Sequence, residues 1–158
     1  MKLLKIETQR LLLRQFAIGD AEDVFAILSD EQTTLDCGGY HAFEEMDEEY
    51  ERLMQKFAAQ TRYSIVCRET GRVIGMVSMM DAERAVPGWE FGIEIAPDAR
   101  RRGYARETLQ AVVQTYFEKT DAEMFVGGHY AYNLASGKLL KAAGFQYEGV
   151  EHKAMRHA

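Results

Sequence analysis

The sequence has few of the residues that build metal centres. Its 158 residues include 2 cysteines and 4 histidines, and neither type recurs at the spacing of a metal site. Cys37 and Cys67 lie far apart, so we expect small buried or half-buried side chains. A nucleophilic cysteine is the less favoured alternative, because no positioned histidine is evident. The histidines read as ordinary surface or hydrogen-bonded side chains: His41, His129, His152 and His157. We therefore predict no metal site.

Long apolar runs and an excess of basic residues are also absent. No segment has the length and apolar content of a membrane span, and the N-terminus does not resemble a signal peptide. We therefore expect a cytoplasmic protein with no membrane partner, in which both thiols stay reduced. The formal net charge of -6 argues against nucleic acid as a partner, because binding to the phosphate backbone requires an extended basic surface.

Proline is scarce as well, and the apolar content is sufficient for a core. With 2 prolines and 47% hydrophobic residues, the chain is expected to form one domain over residues 1–158, without a linker. No internal repeat or low-complexity segment interrupts it.

Hydrophobic periodicity predicts strands and helices in a mixed order. The predicted strands are 11–15, 63–68, 72–80, 89–96, 124–130 and 145–151. The predicted helices run from Asp20 to about 30, from 43 to 59, from the loop after 100 to about 119, and from the cap Asn133 to the terminator Gly144. Residues 31–41 are predicted as a loop, and a glycine turn at 69–72 predicts a hairpin. This order predicts a mixed, mostly antiparallel α/β sheet, flanked by about four helices.

The stretch from Trp89 to Val113 contains the strongest functional pattern. A strand with alternating apolar residues ends at Pro97 and is followed by a loop with three arginines and Gly103. The apolar stripe of a helix comes next. The first amides of such a helix bind phosphate when the loop allows a close approach. From the residue types alone, phosphate binding and a plain solvated turn are about equally favoured.

Several segments resemble one enzyme family. The run from Arg100 to Ala105 is similar to the Q/R-x-x-G-x-G/A signature of the GCN5-related N-acetyltransferases, which holds the pyrophosphate of acetyl-CoA. Four other segments resemble the ribosomal-protein N-terminal acetyltransferase (RimJ/RimL-like) branch, in the order of that branch. They are E-T-Q-R-L-L-L-R at 7–14, G-D-A-E-D-V-F at 19–25, W-E-F-G at 89–92, and the stretch from N-L-A-S to A-A-G-F at 133–145.

The resemblance implies the GNAT acyl-CoA N-acyltransferase fold and acetyl-CoA as the cofactor. In the family, backbone groups of a splayed central strand bind the pantetheine arm and the thioester, and the matching residues are Ile93, Glu94 and Ile95. The residues implied for the pyrophosphate are Arg100, Arg101, Arg102, Gly103, Tyr104 and Ala105. Asn133 and Ser136 are implied to contact coenzyme A, with Ser136 near the sulfur.

The resemblance also implies catalytic roles. Glu90 matches the strand carboxylate that acts as a general base, and Glu94 on the same face is the rival. The alternative is that either carboxylate only binds a cationic substrate or a neighbouring arginine. Leu140 stands where many members have the tyrosine that protonates the thiolate. Ser136 is therefore the candidate, while Tyr130 and Tyr132 stay open.

The implied reaction is direct acetyl transfer to a primary amine in a ternary complex. A protein N-terminus and a small-molecule amine both fit as acceptor. The alternative functions are an acyl-CoA-binding regulatory module without catalysis and an interaction domain without a ligand. Only seven residues, 152–158, follow the last predicted strand, which is too few for the turn and final strand usual in the family. We therefore expect either direct pairing of the last strands or a homodimer that covers the open edge.

Overall fold

A six-stranded sheet organises the protein in a computed structural model that describes residues 3–37 and 41–152. The strands, in spatial as well as chain order, are β1 (Ile6–Glu7), β2 (Leu11–Gln15), β3 (Arg62–Cys67), β4 (Val73–Asp81), β5 (Gly88–Ile95) and β6 (Met124–Val126). Neighbours pair antiparallel except β5 and β6, which are parallel. The predicted mixed, mostly antiparallel sheet is thus confirmed.

Five α-helices flank the sheet in the described residues. They are α1 (Ala21–Leu28), α2 (Glu31–Asp36), α3 (Glu48–Ala59), α4 (Tyr104–Lys119) and α5 (Leu134–Ala142). Short 3₁₀ turns precede α1 at Ile18–Asp20 and follow β5 at Pro97–Ala99. Four of the α-helices match predicted ones, and α2 is additional.

Helix α4 and the group α1 to α3 pack on opposite faces of the sheet. Because successive side chains of a strand point to opposite faces, Tyr63 and Ser64 lie on different sides. The Tyr63 hydroxyl is 2.9 Å from that of Tyr116 on α4. Ser64 instead donates to Asp20, just before α1, at 2.6 Å. Both contacts are buried, so the sheet forms the middle layer of the core.

Asp20 occupies the predicted N-cap position of α1, but its side chain does not cap the helix. Its side chain makes no capping hydrogen bond to α1 and is buried against β2 and β3. There it accepts two hydrogen bonds from Arg14, each 2.8 Å, besides the one from Ser64. A buried carboxylate needs such partners, and they belong to strands that the sequence does not place near it.

The predicted loop over 31–41 contains helix α2. Asp30 caps this helix, because its side chain accepts a hydrogen bond from Thr33 N at 2.9 Å. The helix ends after Asp36. Gly38 and Gly39, which favour a loop in the sequence, lie outside the described residues.

The helix predicted over 43–59 begins only at Glu48. Asp47 caps it by accepting from Tyr50 N at 2.9 Å, which leaves Phe43 in the preceding loop. Phe43 still packs in the core, with its ring centroid 5.2 Å from that of Tyr50. The Phe43 ring thus packs against apolar neighbours although its backbone is not helical.

The last third of the chain is less regular than predicted. Strand β6 ends at Val126 rather than at 130, and residues 145–151 form no strand. Gly127, the residue after the strand, is closely packed: a Cβ there would lie 2.6 Å and 3.1 Å from side-chain atoms of Leu140 and Phe91. The predicted cap Asn133 and the left-handed Gly144 are confirmed. Residues 153–158 of the predicted tail lie outside the described residues.

Candidate active site

Strands β5 and β6 pair over only part of their length. The parallel pairing runs from Gly88 opposite Met124 to Glu90 opposite Val126. β5 continues to Ile95, and within the described residues no strand pairs with this later half on the β6 side. We call this unpaired region, beside residues 91–95, the β5–β6 gap.

The register of β4 and β5 decides which backbone groups face the gap. Two hydrogen bonds at the ends of the pairing fix its phase: Ala96 N to Ile74 O at 2.8 Å, and Ala82 N to Gly88 O at 3.1 Å. Because antiparallel residues alternate between bonding and non-bonding pairs, the backbone of Glu94 bonds β4. The backbone groups of Ile93 and Ile95 therefore point toward the gap. Three residues were predicted to bind through their backbone. The backbone groups of Ile93 and Ile95 face the gap, and those of Glu94 do not.

The loop after β5 delivers the chain to the N-terminus of α4. Gly103 precedes the helix with φ of 78°, and Arg101 has φ of 61°. The first intrahelical bond runs from Glu107 N to Gly103 O, so the amides of Tyr104 and Ala105 have no partner in the helix. Residues 101–103 are exposed. This is the strand, loop and helix arrangement that binds phosphate groups.

The three arginines of the loop differ in their surroundings. Arg100 turns toward α2, where it lies 3.2 Å from Asp30 Oδ2 and donates to the Thr33 hydroxyl. Although partial burial opposes the effect, Thr33 and Arg100 hold the pKa of Asp30 below its usual value. Arg101 and Arg102 are exposed. Arg100 thus links the loop to α2, a role that the sequence does not predict.

The two carboxylates of β5 also lie in different settings. Glu90 is exposed and sits at the last residue pair between β5 and β6. The Glu94 side chain is only 16% exposed, and its Oε2 has no hydrogen-bond partner within the described residues. Burial raises the pKa of Glu94, while Arg62 and Cys37 partly offset this effect.

Arg62 is a buried cation beside Glu94. Its Nη1 lies 3.9 Å from Glu94 Oε2, and its guanidinium stacks 3.8 Å from the centroid of the Phe57 ring. Its Nε lacks a hydrogen-bond partner in the described part of the chain. The sequence pattern does not single out Arg62, because the predicted strand begins one residue later. Only the strand register, which is not visible in the sequence, brings it to Glu94.

Cys37 lies at the end of α2 and reaches the same carboxylate. Its Sγ donates to Glu94 Oε1 at 3.8 Å. Desolvation of the thiol and the charge of Glu94 raise the pKa of Cys37 to about 12, so it stays protonated at neutral pH. A protonated thiol is a poor nucleophile. The expectation that Cys37 is at least half-buried is wrong, since it is exposed as a residue, whereas Cys67 is buried.

The residues before and within α5 follow β6 in the chain and include the predicted site residues Asn133 and Ser136. The Asn133 side chain caps α5 by accepting from Ser136 N at 3.2 Å, and both residues are half-buried. The Tyr132 hydroxyl donates to Leu35 O of α2 at 2.9 Å. Leu140 packs against Gly127, so this position serves packing.

Two further classes of feature are not found in the described residues. No group of three or more His, Cys, Asp or Glu side chains could hold a metal ion there. None of the helices in that part of the chain is long and apolar enough to cross a membrane.

Comparisons with known proteins agree with this geometry. Residues 10–146 match the family model described as acetyltransferase (GNAT) domain. The uncharacterized N-acetyltransferase YoaA of Bacillus subtilis strain 168 is 33% identical, over 95% of this chain and 87% of that protein.

Two solved structures share the fold at lower identity. A GNAT-family acetyltransferase from Bacillus anthracis has a TM-score of 0.87 at 21% identity, covering 98% of this chain and 90% of that one. The microcin C7 self-immunity acetyltransferase MccE, solved with acetyl-CoA and AMP, has a TM-score of 0.79 at 16% identity, covering 95% of this chain and 86% of that one.

Proposed function

The chain belongs to the GNAT acetyltransferase family and is an N-acetyltransferase, and we propose that it transfers acetyl from acetyl-CoA directly to a primary amine while both are bound. The observation that carries this proposal is the β5–β6 gap, with unpaired backbone beside the N-terminus of α4. Acetyl-CoA supplies an activated thioester, and the protein supplies positions for its polar groups.

The described residues fit the two ends of such a donor. The exposed loop and the free amides at the start of α4 suit a pyrophosphate, with Arg101 and Arg102 adding positive charge. The backbone groups of Ile93 and Ile95 suit the pantetheine arm and the carbonyl of the thioester. Fixed backbone donors of this kind favour charge that develops on a carbonyl oxygen.

Glu94 is the better supported general base of the two carboxylates. A base must lose its proton near neutral pH, and burial of Glu94 moves its pKa upward. Glu94 also lies between Ile93 and Ile95, whereas Glu90 is exposed where β5 and β6 still pair. We therefore propose that Glu94 takes the proton of the amine, with Glu90 as the alternative suggested by the family resemblance.

The proton donor for the departing thiolate is a choice between three hydroxyls. Ser136 lies in the first turn of α5, and the described residues give its hydroxyl no hydrogen bond. Tyr130 and Tyr132 stack with ring centroids 5.7 Å apart on the preceding loop. We propose Ser136, because Leu140 leaves no tyrosine on the helix itself.

The segments that resemble the ribosomal-protein N-terminal acetyltransferase branch favour a protein N-terminus as the acceptor. A small-molecule amine is the second candidate. Both acceptors, as well as acetyl-CoA, are available in the cytoplasm, where we propose that the enzyme works and where free thiols such as Cys37 and Cys67 stay reduced.

Two measurements test the proposed function. Calorimetry with coenzyme A tests the donor site, and absence of binding would overturn it. Release of free coenzyme A is then followed with short peptides, a polyamine, an amino acid and an aminoglycoside as acceptors. Intersecting double-reciprocal plots are expected for a ternary complex, and parallel plots would contradict it. Binding without turnover of any amine would favour the non-catalytic acyl-CoA module.

A further inference from the structure

Arg10, in the turn between β1 and β2, reaches the loop that precedes α4. Its Nη1 donates to the carbonyl oxygen of Arg102 at 2.9 Å. Its guanidinium carbon lies 4.4 Å from the centroid of the Tyr104 ring, and its Nη2 is the nearest atom to the space beside Gly103. One side chain therefore contacts Arg102 and Tyr104, the residues on either side of Gly103.

The other edge of the same guanidinium is held by Glu107 in α4. Arg10 Nε donates to Glu107 Oε1 at 2.8 Å, and the backbone N of Arg10 donates to Oε2 at 3.3 Å. The Thr8 hydroxyl adds a hydrogen bond of 2.6 Å to Oε2. Although partial burial opposes the effect, the hydrogen bonds from Thr8 and Arg10 keep the pKa of Glu107 below its usual value. The carboxylate is therefore charged at neutral pH.

This contact joins segments that are more than 90 positions apart in the sequence. It holds a loop in which Arg101, which is not a glycine, is left-handed, and such a conformation needs support from its surroundings. The planar fork of arginine can bond a carbonyl and a carboxylate at once, which the single ammonium of lysine does less well. The geometry thus fits a brace that fixes where the free amides of α4 point.

We propose that Arg10 is a positioning residue that holds the loop and the first turn of α4 in the conformation that binds the pyrophosphate of acetyl-CoA. This inference rests on the proposed function. Arg10 does not contact the reacting atoms. It therefore contributes to affinity for the pyrophosphate of acetyl-CoA and not to the acetyl-transfer step.

The first test compares two donors, acetyl-CoA and S-acetylpantetheine, which has the same thioester but no pyrophosphate. Arg10→Gln is expected to lower kcat/KM for acetyl-CoA about tenfold, since a charged hydrogen-bond pair has this order of effect. The value for S-acetylpantetheine should change less than twofold. Equal losses with both donors, or no loss with acetyl-CoA, would overturn the proposal.

Two variants separate bracing from simple attraction between charges. Arg106→Gln removes a charge from an exposed arginine in the same first turn, and it should change kcat/KM for acetyl-CoA less than threefold. Glu107→Gln removes an anion near the phosphate site, which by Coulomb attraction alone would improve coenzyme A affinity. Bracing predicts the opposite, a loss of about threefold. Bracing would be contradicted by a gain in coenzyme A affinity in Glu107→Gln. It would also be contradicted if Arg106→Gln lowered kcat/KM for acetyl-CoA as much as Arg10→Gln does.

A readout without ligand distinguishes failure of this inference from failure of the proposed function. Hydrogen exchange of the amides of residues 107–109, the first amides of α4 that can be protected by hydrogen bonds inside the helix, should become at least several-fold faster in Arg10→Gln than in wild type, while the amides of α3 stay unchanged. Arg10→Lys should exchange nearly as fast as Arg10→Gln. Unchanged exchange in Arg10→Gln would overturn the brace, whereas failure of the wild type to bind coenzyme A would overturn the proposed function.

Discussion

The backbone conformation of Gly103 limits which side chains can stand at this position. Its φ of 78° lies in the left-handed region, which costs little for glycine and asparagine but is strained for a β-branched residue. A Cβ at this position would have only Arg10 within 4 Å, at 3.5 Å. The conformation, more than crowding, therefore explains why glycine stands there.

We predict that Gly103→Val raises the Kd for coenzyme A at least tenfold, because the loop must leave the left-handed conformation or press against Arg10. Gly103→Asn is the matched control and should raise Kd threefold or less. Calorimetry measures both. Wild-type affinity in Gly103→Val would place the pyrophosphate elsewhere.

The surroundings of Glu94 alter its acid–base chemistry. We predict that Glu94→Gln lowers kcat at least a hundredfold, the usual order for a general base, with the Kd for coenzyme A changed less than twofold. Because burial raises its pKa, the carboxylate forms only at a pH above the ordinary value near 4.5. In wild type kcat/KM should therefore rise with pH through that raised pKa, and this acid limb should be absent in Glu94→Gln.

Glu90→Gln is the control on the same face of the strand. It should keep the acid limb and lose less than tenfold in kcat. If instead Glu90→Gln removes the limb and Glu94→Gln keeps it, the exposed carboxylate is the base and the burial argument fails.

At the scale of elements, the pairing of β4 with β5 determines which residues reach the gap. Gly75 lies opposite Ile95 in this pairing. A Cβ there would stand 2.6 Å from the carbonyl oxygen of Glu94, and a backbone atom cannot move aside without shifting the strand. The position of β5 beside the gap thus depends on Gly75, although Gly75 does not itself line the gap.

We predict that Gly75→Ala lowers the free energy of unfolding by about 1–3 kcal/mol, as overpacking does in a core, and also lowers kcat/KM by moving β5. Gly128→Ala has no atom within 4 Å of the new Cβ and should stay within about 0.5 kcal/mol of wild type. Urea denaturation measures both. A Gly75→Ala variant as stable as Gly128→Ala would show that the strands separate easily.

Helix α2 connects the two sides of the site although it has only six residues. Its N-terminal cap Asp30 pairs with Arg100 of the loop, and its C-terminal end reaches Glu94 through Cys37 and Tyr132 through Leu35. Movement of α2 would therefore affect both the loop before α4 and the Glu94 carboxylate.

At the scale of the molecule, the sheet ends in an unpaired edge. In the described part of the chain β6 pairs only with β5, and residues 145–151 form no strand. Large apolar side chains nearby in sequence are exposed, among them Leu134, Tyr147 and Val150. Exposed edges of this kind attract other chains unless they are covered. We propose that a second copy of the chain covers this region.

Light scattering at micromolar concentration is therefore expected to give the mass of a dimer. Tyr147→Lys combined with Val150→Lys should shift the mass toward one chain. Ile18→Lys is the matched control, since Ile18 is also exposed but lies before α1, and it should leave the dimer intact. A wild-type protein with the mass of one chain would contradict the proposal.

Local sequence determined most of the elements and the family of this protein. The alternation from Trp89 to Ile95, the glycine before α4 and the caps Asn133 and Gly144 act within a few residues, so their patterns could be read correctly from the chain. Predictions from short sequence patterns failed where contacts between distant segments had the stronger effect on a side chain. Asp20 stands at the predicted N-cap position, but its side chain accepts hydrogen bonds from Arg14 and Ser64 instead of capping the helix.

Only the tertiary structure decided how the site is completed. The register of β4 and β5 turns the backbone of Ile93 and Ile95 toward the gap and that of Glu94 away from it. The same register brings Arg62 to Glu94, and the fold brings Arg10 to a loop more than 90 positions away. Such contacts depend on strand pairing over long sequence separations, and a linear pattern carries no information about pairing partners. The residues that we propose to bind the donor could therefore be predicted from the sequence, whereas the neighbours that orient them and shift their pKa values could not.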